Sequence, residues 1–440
     1  MKERINLVII IAALLAFLYI FQKYFSTMWA VILLASLMVL YGIYMQIAYK
    51  HRKRKKRKNP TPLNYDFKPL ISIMIPAHNE AVVIENTVEN LLKLDYENFE
   101  IIVIDDRSED NTAQKVMELA QKYEKVQAIV RPKDAFPGKS AVLNEALEIA
   151  KGEAILVFDA DAKVEQNFLT QLVPYLEPSD VGAVQARKVI MNADTNFLTR
   201  CQNNEYAFDC HVQVGRDSVK GAVELRGNGE LIKREALIDI GGWNNYTITD
   251  DLDMSARLQI NGWDIRFIPN VCVYEEGITK LLPLIKQRRR WCEGSIRRYL
   301  EYFTEILLSE KMSLRTGFDM LVYISEFILP FWIIAEMAIQ GLCYVKGYEN
   351  SILSSFVVFL GIIICAGFSM WYSINKYNKI KALPALKQAL ETGAYFFLLW
   401  TPIVTFIVFK IIFTKKTMDW GKTQHGNQNK TEQKDLVTQK

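Results

Sequence analysis

Ile155-Leu156-Val157-Phe158-Asp159-Ala160-Asp161 is the stretch that decides the fold of this chain. An apolar run ends abruptly in two carboxylates spaced i, i+2. Ile101-Ile102-Val103-Ile104 repeats the pattern and leads into Asp105-Asp106-Arg107-Ser108. Short continuous apolar runs bounded by turn residues read as strands buried on both faces. Similar β-rich runs cover Leu70–Ile75, Glu100–Ile104, Val126–Val130, Ala154–Phe158 and Val181–Ala186. Helical patterns lie between or beside them at 81–94, 111–123, 139–151 and 166–176. That alternation predicts an α/β domain with parallel strands and crossover helices. In such sheets ligands bind beyond the carboxyl ends of the strands, where both acidic turns fall.

The rest of the chain reads differently. It has 440 residues, 50% hydrophobic and 23% charged, with a formal net charge of +4. That charge is too high for a chain buried mostly in lipid, and the apolar residues are too clustered for a wholly soluble one. The length suits one large or two medium domains, at ~100–200 residues each. With 21 Gly, 13 Pro and 12% aromatics, collagenous and disordered classes are excluded. The six cysteines show no CxxC spacing, Cys201 and Cys210 being nearest, so no disulfide framework or zinc knuckle is indicated. His51, His78, His211 and His425 are too scattered for a histidine-ligated metal.

A bilayer core takes ~20 apolar helical residues. Ser26–Tyr49 is long enough, and Ile5–Phe21 is marginal. The latter lacks a small-x-small cleavage site and is followed at once by another span, so it reads as a span and not a signal peptide. From Lys50 to Lys58 every residue except His51 is Lys or Arg. Directly after a span this is a topological anchor that places the adjoining downstream domain in the cytoplasm. Without interleaved aromatics it does not read as a nucleic-acid site. The predicted layout is two transmembrane helices in 1–49, a basic linker in 50–69 and the α/β domain in 70–306 that ends in an interfacial helix. About three transmembrane helices come next in 307–414, near 317–344, 351–375 and 393–413, with a polar tail at 415–440. Three crossings put the tail outside, whereas Lys410, Lys415 and Lys416 favour the inside. The side of the C-terminus stays open.

Several segments carry chemistry. Asp159 and Asp161, just past a strand, suit a hard divalent cation that keeps positions open for phosphate oxygens. Gly138-Lys139-Ser140 is not a P-loop, because position 133 is Lys. A glycine and lysine opening a helix still suit an anionic ligand. Gly227-Asn228-Gly229 is not a dinucleotide fingerprint, because position 232 is Ile. Thr249-Asp250-Asp251-Leu252-Asp253 precedes a helical pattern that ends near Gly262. Thr249 reads as its N-cap, and the acids complement the helix dipole. A carboxylate there is also well placed as a general base. Gln287-Arg288-Arg289-Arg290-Trp291 reads as an interfacial helix with snorkelling arginines.

The ordered set of Pro76-Ala77-His78-Asn79-Glu80, Asp105-Asp106, Gly138-Lys139-Ser140, Asp159-Ala160-Asp161, Thr249-Asp250-Asp251 and Gln287-x-x-Arg290-Trp291 resembles the family-two glycosyltransferases of GT-A fold. These include cellulose, hyaluronan and poly-N-acetylglucosamine synthases. The resemblance covers about 70–306. A narrower one is carried by Glu224–Gly229, Thr247–Asp253, Val273–Gly277 and Arg290–Gly294, with the tail Trp420–Gly426. These stretches are similar to the bacterial β-monoglucosyldiacylglycerol synthases, which move glucose from UDP-glucose to diacylglycerol.

The resemblance implies a Rossmann-like nucleotide-diphospho-sugar transferase domain between transmembrane helices, in a multi-pass cell-membrane enzyme. Asp105, Asp106 and the turn with Pro76, Ala77, Asn79 and Glu80 would hold uracil and ribose. Lys139 would contact the nucleotide. Asp159 and Asp161 would bind Mg²⁺ or Mn²⁺, with Asp159 also on the nucleotide. Asp251 would be the catalytic base, beside Asp250. Gln287, Arg290 and Trp291 would hold the diphosphate and the acceptor. The acceptor would be a lipid, or a growing glycan in a processive β-polysaccharide synthase that an accessory subunit could assist. Two departures stand out: Arg107 occupies a position that is Gly in many relatives, and Asp250 replaces the commoner Glu. A non-catalytic scaffold is disfavoured, because the acidic landmarks are intact.

Overall fold

The computed structural model describes residues 27–58, 62–347 and 352–414, with part of the first sixteen. The expected span Ile5–Phe21 falls about half outside the described residues, and the tail with Trp420–Gly426 falls wholly outside them. Two compact units are present. One comprises residues 62–199 and 224–283, and the other gathers 200–223 and 284–417 with the N-terminal helical residues. The α/β unit is therefore discontinuous, unlike the unbroken 70–306 read from sequence.

The α/β unit contains β1 (Ile71–Ala77), β2 (Phe99–Asp105), β3 (Val126–Val130), β4 (Ala154–Val157), β5 (Lys163–Val164), β6 (Val181–Ile190), β7 (Glu230–Lys233) and β8 (Asp264–Glu275). They form one sheet in the order β3-β2-β1-β4-β7-β6-β8-β5. β1, β2, β3 and β4 pair in parallel, as the alternation predicts. All of β1 and β4 is buried, which is why these runs are apolar at every position or nearly so. The sheet is not wholly parallel, however. β7 runs antiparallel to both β4 and β6, and β5 is antiparallel to β8. β6 and β8 are parallel to each other.

The crossover helices form where their apolar spacing allows. Ile84–Leu91 buries Ile84, Thr87, Val88 and Leu91, one helical face. Thr112–Lys122 buries Thr112, Val116 and Leu119 in the same way. The pattern at 166–176 resolves into an α-helix, Phe168–Leu172, and a 3₁₀ turn, Val173–Leu176. Pro174 has no N–H to continue the α-helical ladder, so the last turn tightens.

The other unit is helical. Thr27–Lys58 is one helix, so the basic run continues the apolar stretch as helix and not as loop. Phe197–Val219, Leu281–Glu301, Leu314–Val345, Ile352–Tyr377 and Ala382–Phe413 are further long helices, of which the first two begin in the α/β unit. Among the described residues, Ala382–Phe413 is long and apolar enough to cross a membrane.

Candidate active site

The carboxyl ends of β1, β2 and β4 carry the predicted acidic turns. Ala77 closes β1, and its carbonyl accepts the Asp106 N–H at 2.7 Å. The turn after Pro76 and Ala77 is bound to the next loop. Asn79 N–H donates to Ser108 Oγ at 2.8 Å, and Glu80 N–H donates to Thr112 Oγ1 at 2.8 Å. Asp105 Oδ2 accepts the Ser108 N–H, while its buried Oδ1 has no hydrogen-bond partner among the described residues. Asp106 is fully buried. Its Oδ1 lies 2.6 Å from Arg131 and 2.9 Å from Arg107. Arg107 has φ of 58°, a left-handed conformation that glycine adopts at no steric cost. This gives a physical reason for the glycine that the resemblance expects there.

Lys139 opens the helix Lys139–Ile149 behind Gly138, whose φ is 117°. Its ammonium donates to Asp159 Oδ1 and to the Gly227 carbonyl, each at 2.9 Å, and lies 3.8 Å from Asp250 Oδ2. Burial opposes its charge, but Asp159, Asp250 and Glu230 outweigh that and raise its pKa above the ordinary lysine value. Asp161 Oδ2 accepts the Glu276 N–H at 3.1 Å. Lys139 thus joins three predicted segments, the β4 turn, the 227–229 loop and the start of the helix Asp250–Ile260.

That helix begins as the sequence predicts, with Thr249 at the N-cap position, but the Thr249 hydroxyl makes no capping bond and is buried without a partner among the described residues. Asp251 does the local capping instead: its Oδ1 accepts the Leu252 N–H at 2.8 Å. A β-carbon added to Gly227 would lie 3.3 Å from Asp251 Oδ2, so the second oxygen faces the 227–229 loop. Desolvation and the neighbouring Asp250 push the Asp251 pKa up to about 6.

Other participants have no strong local signature. Glu230, at the start of β7, is fully buried and accepts the Gly227 N–H at 3.2 Å. Burial and then Asp250 push its carboxyl well above the ordinary range. Asn228 accepts the Asp159 N–H at 3.3 Å and donates to Glu275 Oε2 at 3.1 Å. Lys188 lies 2.9 Å from Glu275 Oε2. Arg131, a buried residue beyond β3, anchors Asp106. The Glu224–Gly229 and Val273–Gly277 stretches mark some of these positions by resemblance, but nothing local marks Lys188 or Arg131.

The α/β unit therefore gathers Asp159, Asp250 and Asp251 around Lys139 and Gly227. Gln287, Arg290 and Trp291 lie on the helix Leu281–Glu301 and belong to the helical unit.

A family model described as glycosyltransferase-like family 2 matches residues 69–294. The β-monoglucosyldiacylglycerol synthase of Trichormus variabilis is 36% identical over 360 residues, covering 81% of this chain and 76% of that protein. This chain belongs to glycosyltransferase family 2. The Synechocystis β-monoglucosyldiacylglycerol synthase is 35% identical to this glycosyltransferase over 369 residues, 81% of this chain and 75% of that protein. A Staphylococcus aureus poly-β-1,6-N-acetyl-D-glucosamine synthase is 27% identical over 290 residues, 63% and 69% of the two chains. Among solved structures, a Pyrobaculum calidifontis mannosyltransferase in complex with GDP-mannose and Mn²⁺ superposes with a TM-score of 0.58 at 19% identity. The match covers 84% of this chain and 99% of that one. The α/β unit of the glycosyltransferase accordingly has a GT-A-like fold, and the chain is a nucleotide-sugar hexosyltransferase.

Two consequences can be measured on this enzyme. An Asp251 acting as general base would have to be unprotonated, and kcat/KM would then be level above pH 7 and fall about tenfold per pH unit below its pKa of about 6. The raised pKa means folding favours protonated Asp251. Its stabilising contribution is present in acid and lost as pH rises through about 6. Gly227→Ala should lower kcat about tenfold or more, because φ at 227 is 74° and the new methyl displaces Asp251. Steady-state rates with unchanged protein yield would check this.

Proposed function

We propose that this glycosyltransferase is an inverting membrane enzyme that moves glucose from UDP-glucose, with β configuration, onto diacylglycerol. Asp251 carries the proposal. One of its oxygens is fixed by a helix N-terminal amide, the other faces the Gly227 loop, and the flanking carboxylates Asp159 and Asp250 are tied to Lys139. Asp251 would take the proton from the acceptor hydroxyl while the sugar is displaced in line from the diphosphate. A single displacement inverts the anomeric centre. Lys139 would hold the leaving diphosphate. Asp105, with its unpartnered oxygen, and Asp106, braced by Arg107 and Arg131, would meet the nucleoside with the turn around Asn79. Gln287, Arg290 and Trp291 are assigned to the diphosphate and acceptor.

Asp159 and Asp161 fit a divalent cation by donor chemistry, since both offer hard carboxylate oxygens at a strand end. Among the described residues no group of three or more His, Cys, Asp or Glu side chains is arranged to hold a metal. Asp159 and Asp161 would hold such an ion and leave it positions open to other oxygen ligands. When bound, Mg²⁺ or Mn²⁺ would neutralise charge on the leaving group.

The curated relatives named as β-monoglucosyldiacylglycerol synthases support the lipid acceptor, and the helix Ala382–Phe413 supports a membrane location. Membranes carrying the protein, incubated with radiolabelled UDP-glucose and Mg²⁺, should place label in the chloroform phase, and EDTA should abolish it. Label in insoluble polymer, or incorporation from UDP-N-acetylglucosamine alone, would favour a polysaccharide synthase and sink the glycolipid reading.

A further inference from the structure

Arg288 lies inside the Gln287-x-x-Arg290-Trp291 segment, at a position the motif leaves unspecified, yet it heads the largest fully buried side chains. Its contacts run in several directions. One terminal nitrogen donates to Glu205 Oε2 at 2.8 Å, on the helix Phe197–Val219. The other donates to Gln287 Oε1 at 2.5 Å. The guanidinium carbon sits 4.2 Å from the centre of the Trp291 ring and 6.0 Å from that of Trp400. Glu205 is itself fixed by the Tyr395 hydroxyl, at 3.2 Å, on the helix Ala382–Phe413.

We propose that Arg288 is a positioning residue that sets the orientation of Gln287 and Trp291 for the transfer reaction. The inference rests on the proposed role of that motif. Its physical content is directional. Binding the Gln287 carbonyl turns the amide NH₂ away from Arg288, so Gln287 meets its ligand as a donor. The ligand atom must then be an acceptor, a phosphate or hydroxyl oxygen. The same guanidinium lies over the Trp291 ring and limits how the indole can turn. Only a planar fork can reach Glu205 and Gln287 at once while stacking on a ring. A lysine ammonium lacks that geometry.

Arg288→Ala would strand Glu205 and risks unfolding, so the test is Arg288→Lys. It keeps the charge beside Glu205 but loses the fixed grip on Gln287. The variant should keep the wild-type melting temperature within a few degrees, with kcat lowered about 10- to 100-fold. Gln287→Ala alone should show a comparable loss, and the double variant should lose far less than the product of the two single losses, because Arg288 acts largely through Gln287. Glu205→Gln, which slackens Arg288 without touching the motif, should give a smaller loss that is likewise not additive with Gln287→Ala. Full turnover in folded Arg288→Lys, or losses that multiply in the double variant, would overturn the inference alone. Full turnover in Gln287→Ala would remove the motif reading and the inference together.

Discussion

Asp251→Asn should slow turnover by at least ~10²-fold while UDP binding persists, since general-base catalysis contributes ~10²–10⁴-fold. The amide retains the shape of the carboxylate and can still accept the Leu252 N–H, so the helix start should survive. It cannot take a proton at neutral pH. Asp250 is poorly placed to substitute, because its Oδ2 already faces the Lys139 ammonium at 3.8 Å. The pH profile should change with the rate: the acid limb near pH 6 expected of Asp251 as base should vanish from the residual activity. Initial rates with labelled donor, alongside calorimetry of UDP, separate the two effects. A variant that turns over at the wild-type rate would remove Asp251 from the mechanism, and one that loses UDP binding as well would make it a donor ligand.

Asp106→Ala should destabilise the protein by about 3 kcal/mol, the low end of the cost of removing one partner of a buried ion pair. Asp106 and Arg131 both have side chains 0% exposed, at 2.6 Å. Arg131 keeps a bond to Glu145, which is 43% exposed, and that places the expected loss low in the range. Arg107, 23% exposed, loses little when released to water. The melting temperature should fall by about 10 °C. Asp106→Asn should cost less, since one amide oxygen can still accept from Arg131. If Asp106→Ala melts like the wild type and only UDP affinity falls, Asp106 is a ligand and not a brace.

Much of this arrangement is legible in the chain itself. Ile101–Ile104 and Ile155–Phe158 are apolar because both faces of their strands are covered, and a local run suffices to show that. Asp105, Asp159 and Asp161 follow such runs, so their place at strand ends comes with the strands. Asp250 and Asp251 are legible through the helix start they form. The failed Thr249 cap is not, because a hydroxyl's partner depends on side-chain direction, and here Asp251 takes the amide instead.

The residues themselves determined an α/β domain with carboxylates at one edge, a basic run beside an apolar helix, and an ordered set of motifs that names a family. Tertiary structure decided how the edge is completed. β7 is a four-residue strand, too short for a periodic signal, and its antiparallel pairing of Val157 with Glu230 brings Gly227, Asn228 and Glu230 beside Asp159 and Asp251. Lys188 likewise reaches Glu275 because β6 and β8 pair in parallel across some 80 residues of chain, roughly the span over which no local pattern reports contact. Short apolar runs encode burial; which strand lies next to which is encoded only by the fit of the whole sheet.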